Sequence, residues 1–139
     1  MKKIIVKSKD EVVEYVRHLD QNFILISITD PGVVIEVPEN QHCKGILRLQ
    51  FHDLETQLIG FSYFRTSQAK TIKEFVLKHQ DIELIICQCM AGISRSSGVA
   101  AVLAKHFNLD QKEFFSGEYS PNRLVYRKLS RVFGLSPTN

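Results

Sequence analysis

A cysteine and an arginine enclose a short run of mostly small residues in the second half of the chain. The segment Cys89–Ser96 reads CMAGISRS, so five residues separate Cys89 from Arg95. A loop of this composition can turn its backbone N–H groups inward around an anion, and a following helix adds its positive end. A thiol beside a guanidinium in such a loop is expected to be held as the nucleophilic thiolate. The segment therefore predicts a phosphate-binding loop with a built-in nucleophile.

Hydrolysis of a phosphate ester needs further groups around this loop. Arg95 offers paired planar donors that match two phosphoryl oxygens, and Ser96 supplies a hydroxyl that can stabilise the thiolate. A general acid must protonate the departing oxygen, and the same group can then act as a base toward water. Asp53, which directly follows a predicted strand, is the first candidate for this acid. Asp30 also follows a strand and is the second candidate, and Glu55 is the third.

The elements on either side of the loop indicate how it is positioned. The β-branched run Ile82–Cys87 predicts a buried strand before it, and the apolar run Val99–Ala104 predicts a helix buried on all sides after it. Further strands are predicted at Lys3–Val6, Phe23–Ile28 and Gly45–Phe51, with Val33–Val37 as a candidate edge strand. Helices are predicted after the capping box at Ser8, near Thr66 or Ser67, after Asp110, and from Ser120-Pro121 to a stop at Gly134.

This alternation predicts an α/β fold, with a mainly parallel central sheet of four to five strands flanked by helices on both faces. Ligands bind beyond the carboxyl ends of the strands in such sheets. Because Cys89 and Asp53 both follow strand ends, we expect them on the same rim.

Length and composition predict a single domain over residues 1–139. The chain is 44% hydrophobic and 24% charged, with no apolar run near the ~20 residues of a membrane span. The net charge of +3 favours anionic ligands but is too small to indicate nucleic-acid binding. The late basic residues are expected to form a solvated helix face; they are Arg123, Arg127, Lys128 and Arg131.

The three cysteines indicate reactive or structural thiols. An odd number without an export signal argues against a disulfide framework, and the cytoplasm is the expected compartment. Cys87 lies two residues from Cys89 on a strand and is poorly placed to bridge to it. Cys43 lies in a polar loop as a spare thiol, and its neighbour His42 has no partners that would complete a metal site. We therefore predict neither a metal nor another cofactor.

The segment Cys89–Ser96 resembles the signature loop of cysteine-dependent protein tyrosine and dual-specificity phosphatases. The likeness is closest to the small single-domain members of bacteria and viruses. The segment Leu49–Leu54 is similar to the family's stretch that carries the general-acid aspartate, and Gln68–Val76 to the helix before the catalytic strand. Ser120–Asn122 resembles a C-terminal element whose asparagine braces the phosphate loop.

The resemblance implies a role for each matching residue. Cys89 is the nucleophile, Arg95 the phosphate clamp, Ser96 the leaving-group helper and Asp53 the general acid, with Asn122 as a brace or simply a helix cap. The phosphate-binding loop comprises Met90, Ala91, Gly92, Ile93, Ser94 and Arg95. The chain departs from the pattern at Gln88, where many relatives have a histidine; a carboxamide forms hydrogen bonds but carries no charge.

The resulting expectation is a phosphatase that acts through a phosphocysteine intermediate on phosphotyrosine in a protein or peptide, with action on phosphoserine or phosphothreonine left open. Hydrolysis of a phosphoinositide or of an RNA 5′ phosphate by the same loop remains open, as does a non-catalytic phosphate-binding module. A sulfur-transfer or arsenate-reducing enzyme is disfavoured because no resolving cysteine is evident. Aromatic residues before the second main helix either wall a pocket or pack in the core; they are Phe61, Tyr63 and Phe64.

Overall fold

The computed structural model describes residues 1–136, and its strands form one parallel sheet. The strands are β1 (Lys3–Lys7), β2 (Phe23–Thr29), β3 (Cys43–Gln50) and β4 (Leu84–Gln88). The helices are α1 (Lys9–Arg17), α2 (Thr66–Lys78), α3 (Arg95–His106) and α4 (Arg123–Val132), with a short 3-10 helix at Lys112–Phe115. The sheet order is β1-β4-β2-β3, and all three strand pairs are parallel. The predicted fold class is confirmed.

Helices cover both faces of the sheet. On one face α1 packs its buried Val12 and Val16 against inward side chains of β2 and β4. On the other face α2, α3 and α4 form the larger core around β2 and β4. Seven successive residues of β2 and all five of β4 are buried, as expected for central strands covered on both sides. The central position of β4 fixes the residues that follow it.

Sequence signals account for several of the helix ends. Ser8 and Glu11 form the predicted capping box of α1 through both of its hydrogen bonds. After α4, Gly134 has a φ of +72°, Leu135 N donates to Ser130 O, and Gly134 N donates to Arg131 O. This is the pattern of a Schellman C-cap, so the predicted stop at Gly134 is confirmed.

Two local predictions are wrong. Residues 33–37 form no strand; instead the β3 side chains Arg48 and Gln50 donate to the carbonyls of Ile35 and Val33, at 2.9 and 3.0 Å. These side chains take the place of a backbone ladder at the edge of β3. The start of α4 also differs, because Asn122, not Ser120, is its N-cap and accepts from Val125 N. An asparagine oxygen accepts this bond as well as a serine oxygen does.

Candidate active site

The turn from β4 to α3 places a thiol at the base of a loop. β4 ends at Gln88, Cys89 follows, and α3 begins at Arg95. The Cys89 residue is only 2% exposed, and its Sγ lies 3.0 Å from the Oγ of Ser96, which is fully buried. A hydroxyl at this distance can donate to a thiolate and so stabilise the charge on sulfur.

The carbonyl groups of the loop point toward the surrounding elements. The Met90 carbonyl accepts from Lys9 N, the Ile93 carbonyl from Ser120 N, and the Ser94 carbonyl from Asn122 N. A trans peptide directs its N–H opposite to its C=O, so the amides of the residues that follow each of these carbonyls point into the loop. Those residues are Ala91, Ser94 and Arg95. The loop thus offers inward N–H groups at a helix N-terminus, an arrangement that binds anions.

Close contact with the end of β1 holds the loop in this shape. Cys89 N donates to Lys7 O at 3.3 Å. Gly92 has a φ of +69°, and a Cβ built on it would lie 2.6 Å from Ser8 N and 2.8 Å from Lys7 C. Only glycine fits both the left-handed conformation and this close approach. The contribution of β1 was not predicted from the sequence, because no local pattern reports contact between residues so far apart in the chain.

The guanidinium of Arg95 is fixed from the side of β2 and β3. Its Nη1 donates to Oδ1 of Asp30 and to the Phe51 carbonyl, both at 2.7 Å. The Arg95 side chain is 6% exposed and that of Asp30 is 44% exposed. Asp30 was the second candidate for the general acid, but the structure pairs it with the arginine instead. It therefore orients Arg95 from the solvent side of the site.

Asp53 lies against the phosphate loop. Its Oδ1 accepts from Ser94 Oγ at 2.9 Å and from Asn122 Nδ2 at 2.8 Å. Both bonds use the same carboxylate oxygen, Oδ1, so Asp53 is held between the phosphate loop and the start of α4. Asn122 also donates to Leu54 O, so it ties the acid segment to the start of α4 while capping that helix. The side chain of Asn122 is therefore a helix cap, and the contact of this residue with the phosphate loop comes from its backbone N, which donates to Ser94 O.

Glu55 is engaged elsewhere. Its carboxylate accepts from the backbone N of Arg123 at 2.7 Å and pairs with the Arg123 side chain. The backbone hydrogen bond first, and then the side-chain bond, lower the pKa of Glu55. A carboxylate held ionised in this way is poorly suited to donate a proton, so the third candidate for the general acid loses its basis.

Gln88 and Cys87 serve the sheet rather than the loop. Ser27 Oγ donates to Gln88 Oε1 at 2.5 Å, and Gln88 Nε2 donates to Ile28 O, so the buried carboxamide links β4 to β2. Burial, with a smaller effect of Cys89, raises the pKa of the Cys87 thiol. Cys87 therefore remains a neutral thiol at neutral pH.

The aromatic residues that precede α2 differ in how deeply they are buried. Phe64 is buried against Phe51, with ring centroids 4.9 Å apart, whereas Phe61 is half-exposed and touches the His52 ring edge-on. The predicted packing in the core is therefore found for Phe64 but not for Phe61.

Within residues 1–136, no group of three or more His, Cys, Asp or Glu side chains is arranged to hold a metal ion. No helix in the same range is long and apolar enough to cross a membrane.

The chain resembles known proteins in its three-dimensional structure but not detectably in its sequence. No protein-family profile and no curated protein sequence matches the chain. Solved structures do: Cydia pomonella PTP-2 phosphatase has a TM-score of 0.63 and 15% identity over 94% of this chain and 86% of that one. Human DUSP28 has a TM-score of 0.58 and 13% identity over 94% and 91%. PTPMT1 in complex with PI(5)P has a TM-score of 0.59 and 15% identity over 95% and 90%. The chain has the tyrosine and dual-specificity phosphatase fold.

This phosphatase fold brings together most of the residues that the sequence singled out. Cys89, Ser96, Arg95 and the loop between them form one site, and Asp53 with Asn122 lies at its edge. Gln88 lies outside the loop, and Glu55 faces α4. Sequence reasoning missed the pairing of Asp30 with Arg95. The sequence showed only that Asp30 follows a strand. This position predicts the edge of the sheet at which Asp30 lies, but not that its carboxylate meets Arg95.

Proposed function

We propose that this chain is a phosphatase that hydrolyses phosphate monoesters through a phosphocysteine intermediate, with phosphotyrosine in a protein or peptide as the preferred substrate. The main support for this proposal is the 3.0 Å contact of Cys89 Sγ with Ser96 Oγ, at the base of a loop whose backbone N–H groups point inward. The phosphatase fold of the structural neighbours supports the same reaction class.

The first step transfers the phosphoryl group to sulfur. The Cys89 thiolate attacks phosphorus, the bond from phosphorus to the ester oxygen breaks, and Asp53 gives its proton to that oxygen. Negative charge on the equatorial oxygens is met by the loop amides and by the guanidinium of Arg95, which Asp30 holds in place. Catalysis is thus mainly positioning and electrostatic stabilisation.

The second step releases inorganic phosphate. The Asp53 carboxylate takes a proton from water as the water oxygen attacks phosphorus, and the sulfur–phosphorus bond breaks. Ser96 donates to the departing Cys89 thiolate and makes it a better leaving group. The cycle ends with Asp53 protonated and the thiolate restored. Because such a thiol is inactivated by oxidation, the reducing cytoplasm is the proposed compartment.

Replacement of the nucleophile tests the proposal. Cys89→Ser should lower the turnover of a generic aryl phosphate by about a thousandfold or more while inorganic phosphate still binds, since the loop amides and Arg95 remain. Cys43→Ser is the matched control and should retain full turnover. Wild-type turnover in Cys89→Ser would reject the covalent route. Loss of phosphate binding in the same variant would mean that the loop itself had been disturbed.

A substrate panel tests the preference. Phosphotyrosine and phosphoserine peptides, a phosphoinositide and a triphosphorylated RNA should differ in kcat/KM, with the phosphotyrosine peptide highest. The phosphoinositide is included because a structural neighbour, PTPMT1, was solved in complex with PI(5)P. A higher kcat/KM for the phosphoinositide would move the substrate assignment while leaving the reaction unchanged.

A further inference from the structure

An exposed apolar turn projects from the loop between Asp53 and α2. Leu58 is 50% exposed, Ile59 is fully exposed and Phe61 is 52% exposed. Phe61 N donates to Leu58 O, and Gly60 has a φ of +87°, which together form a β-turn. A Cβ placed on Gly60 would meet nothing within 4 Å, so the turn faces open space at this residue. Adjacent exposed apolar side chains of this kind mark a binding surface more often than scattered ones do.

The base of this turn is firmly held. His52 N donates to Ser62 O at 2.7 Å, and Ser62 N donates to His52 Nδ1 at 3.0 Å. The His52 ring also meets the Phe61 ring edge-on, with centroids 5.1 Å apart. The apolar tip is thus presented on a fixed support rather than on a loose strand of chain.

Basic side chains surround the other arm of the loop. Lys128 Nζ lies 4.8 Å and the Arg65 guanidinium 5.9 Å from the centre of the Tyr63 ring, and Lys128 also donates to the Phe64 carbonyl. Burial, and then the charges of Arg127 and Arg131, lower the pKa of Lys128, which shows that these cations are close together.

Acidic groups offset these charges only in part. Helix α4 contains no carboxylate, whereas Glu55 pairs with Arg123, and the charge of Arg127 also lowers the pKa of Glu55. The surface next to the turn is therefore basic, and it carries Tyr63 as an aromatic residue between the apolar tip and the cations.

We propose that the Leu58–Phe61 turn and the adjacent basic side chains dock this protein on an anionic phospholipid bilayer. The apolar tip enters the boundary of the acyl chains, and the cations meet the negatively charged headgroups. A bilayer accepts a convex protrusion such as Ile59 without a matching groove, whereas a protein partner needs shape complementarity. The loop starts just after Asp53, so docking holds the rim of the candidate active site near the headgroups. The binding itself requires no catalysis.

Vesicle co-sedimentation of the full chain tests this inference. The protein should bind phosphatidylcholine vesicles that contain phosphatidylserine more tightly than vesicles of phosphatidylcholine alone, and added salt should weaken the binding. The double variant Leu58→Ser/Ile59→Ser should lower the partition coefficient roughly tenfold or more, because two apolar side chains no longer enter the boundary. Arg127→Ser should lower it only for vesicles that contain phosphatidylserine.

Leu77→Ser is the matched control, since Leu77 is 37% exposed near the far end of α2, and it should bind as the wild type does. Circular dichroism checks that each variant is folded. Absence of wild-type binding to the anionic vesicles would overturn the inference. So would wild-type binding by the Leu58→Ser/Ile59→Ser variant, because the attraction would then be purely electrostatic.

Discussion

The Oδ1 atom of Asp30 lies 2.7 Å from Nη1 of Arg95, and this ion pair ties the first residue of α3 to the residue that follows β2. The same nitrogen donates to the Phe51 carbonyl, so the arginine is held by β2 and β3 while its own residue begins α3. The acid that follows β2 thus pairs with Arg95, whereas the acid that follows β3 accepts hydrogen bonds from Ser94 and Asn122.

Asp30→Asn should weaken phosphate binding. Asparagine keeps an oxygen that can accept from Arg95 but removes the negative charge, so both acceptors of the guanidinium become neutral; a hydrogen bond to a charged group contributes about 1.5–3 kcal/mol. We expect KM for an aryl phosphate and the inhibition constant for inorganic phosphate to rise about tenfold. Steady-state kinetics measures both, with Asp20→Asn as the control because Asp20 is an exposed carboxylate in the α1–β2 connection. An unchanged inhibition constant would contradict an orienting role.

Asp53→Asn should make turnover depend on the leaving group. Without a proton donor the departing oxygen leaves as an anion, so poor leaving groups should lose about a hundredfold in kcat and good ones much less. A series of substituted aryl phosphates measures the slope of kcat against the leaving-group pKa. If Asp30→Asn steepened this slope and Asp53→Asn did not, Asp30 would be the general acid.

Gly92→Ala should destabilise the loop by more than backbone strain alone. The added Cβ meets Ser8 N at 2.6 Å in a left-handed backbone, and the summed cost should exceed about 2 kcal/mol. Gly134→Ala is the matched control, because Gly134 has a similar φ of +72° but open space around it, and it should cost about 1 kcal/mol. Urea unfolding measures both values. Equal costs would mean that the β1 contact does not constrain the loop.

Thiol alkylation should distinguish Cys87, within β4, from Cys89, which directly follows that strand. Burial raises the pKa of Cys87, so this thiol stays protonated and unreactive through neutral pH. In a Cys43→Ser background, iodoacetate at neutral pH should label Cys89, and inorganic phosphate should slow the labelling. Peptide mass spectrometry identifies the site. Labelling at Cys87 before Cys89 would contradict the environment assigned to each thiol.

Some elements of the fold and the candidate site could be predicted from the sequence and others could not. The strand before the loop and the helix after it were predictable because Ile82–Cys87 and Val99–Ala104 are apolar throughout, and burial on all sides requires that. The rim shared by Cys89 and Asp53 followed from parallel topology alone. The partner of each carboxylate could not be predicted. Whether a carboxylate meets an arginine, a helix N-terminus or a substrate depends on contacts between segments that are distant in the chain. The sequence ranked Asp53 before Asp30 and Glu55 as the general acid, but it did not show that Asp30 meets Arg95 or that Glu55 meets Arg123.

The N-cap of α4 could not be predicted from the sequence either, although its candidates are only two residues apart. Ser120 and Asn122 are both good N-cap residues, and the choice fell to Asn122 because its amide also reaches Asp53 and Leu54. At β3, side chains rather than a fifth strand satisfy the neighbouring carbonyls, an exchange that strand propensity does not report. Gly134, whose role is local, was predicted correctly.

Trapping of the covalent intermediate tests the central claim most directly. In Ser96→Ala the second step should slow more than the first, because the departing thiolate loses its hydroxyl donor, so a phosphoryl group should accumulate on sulfur. After reaction with an aryl phosphate and a rapid quench, mass spectrometry should find the peptide with Cys89 heavier by one phosphoryl group. Ser96→Ala/Cys89→Ser should give no such adduct. Continued turnover by Ser96→Ala with an unmodified Cys89, or with the phosphoryl group on another residue, would contradict the account.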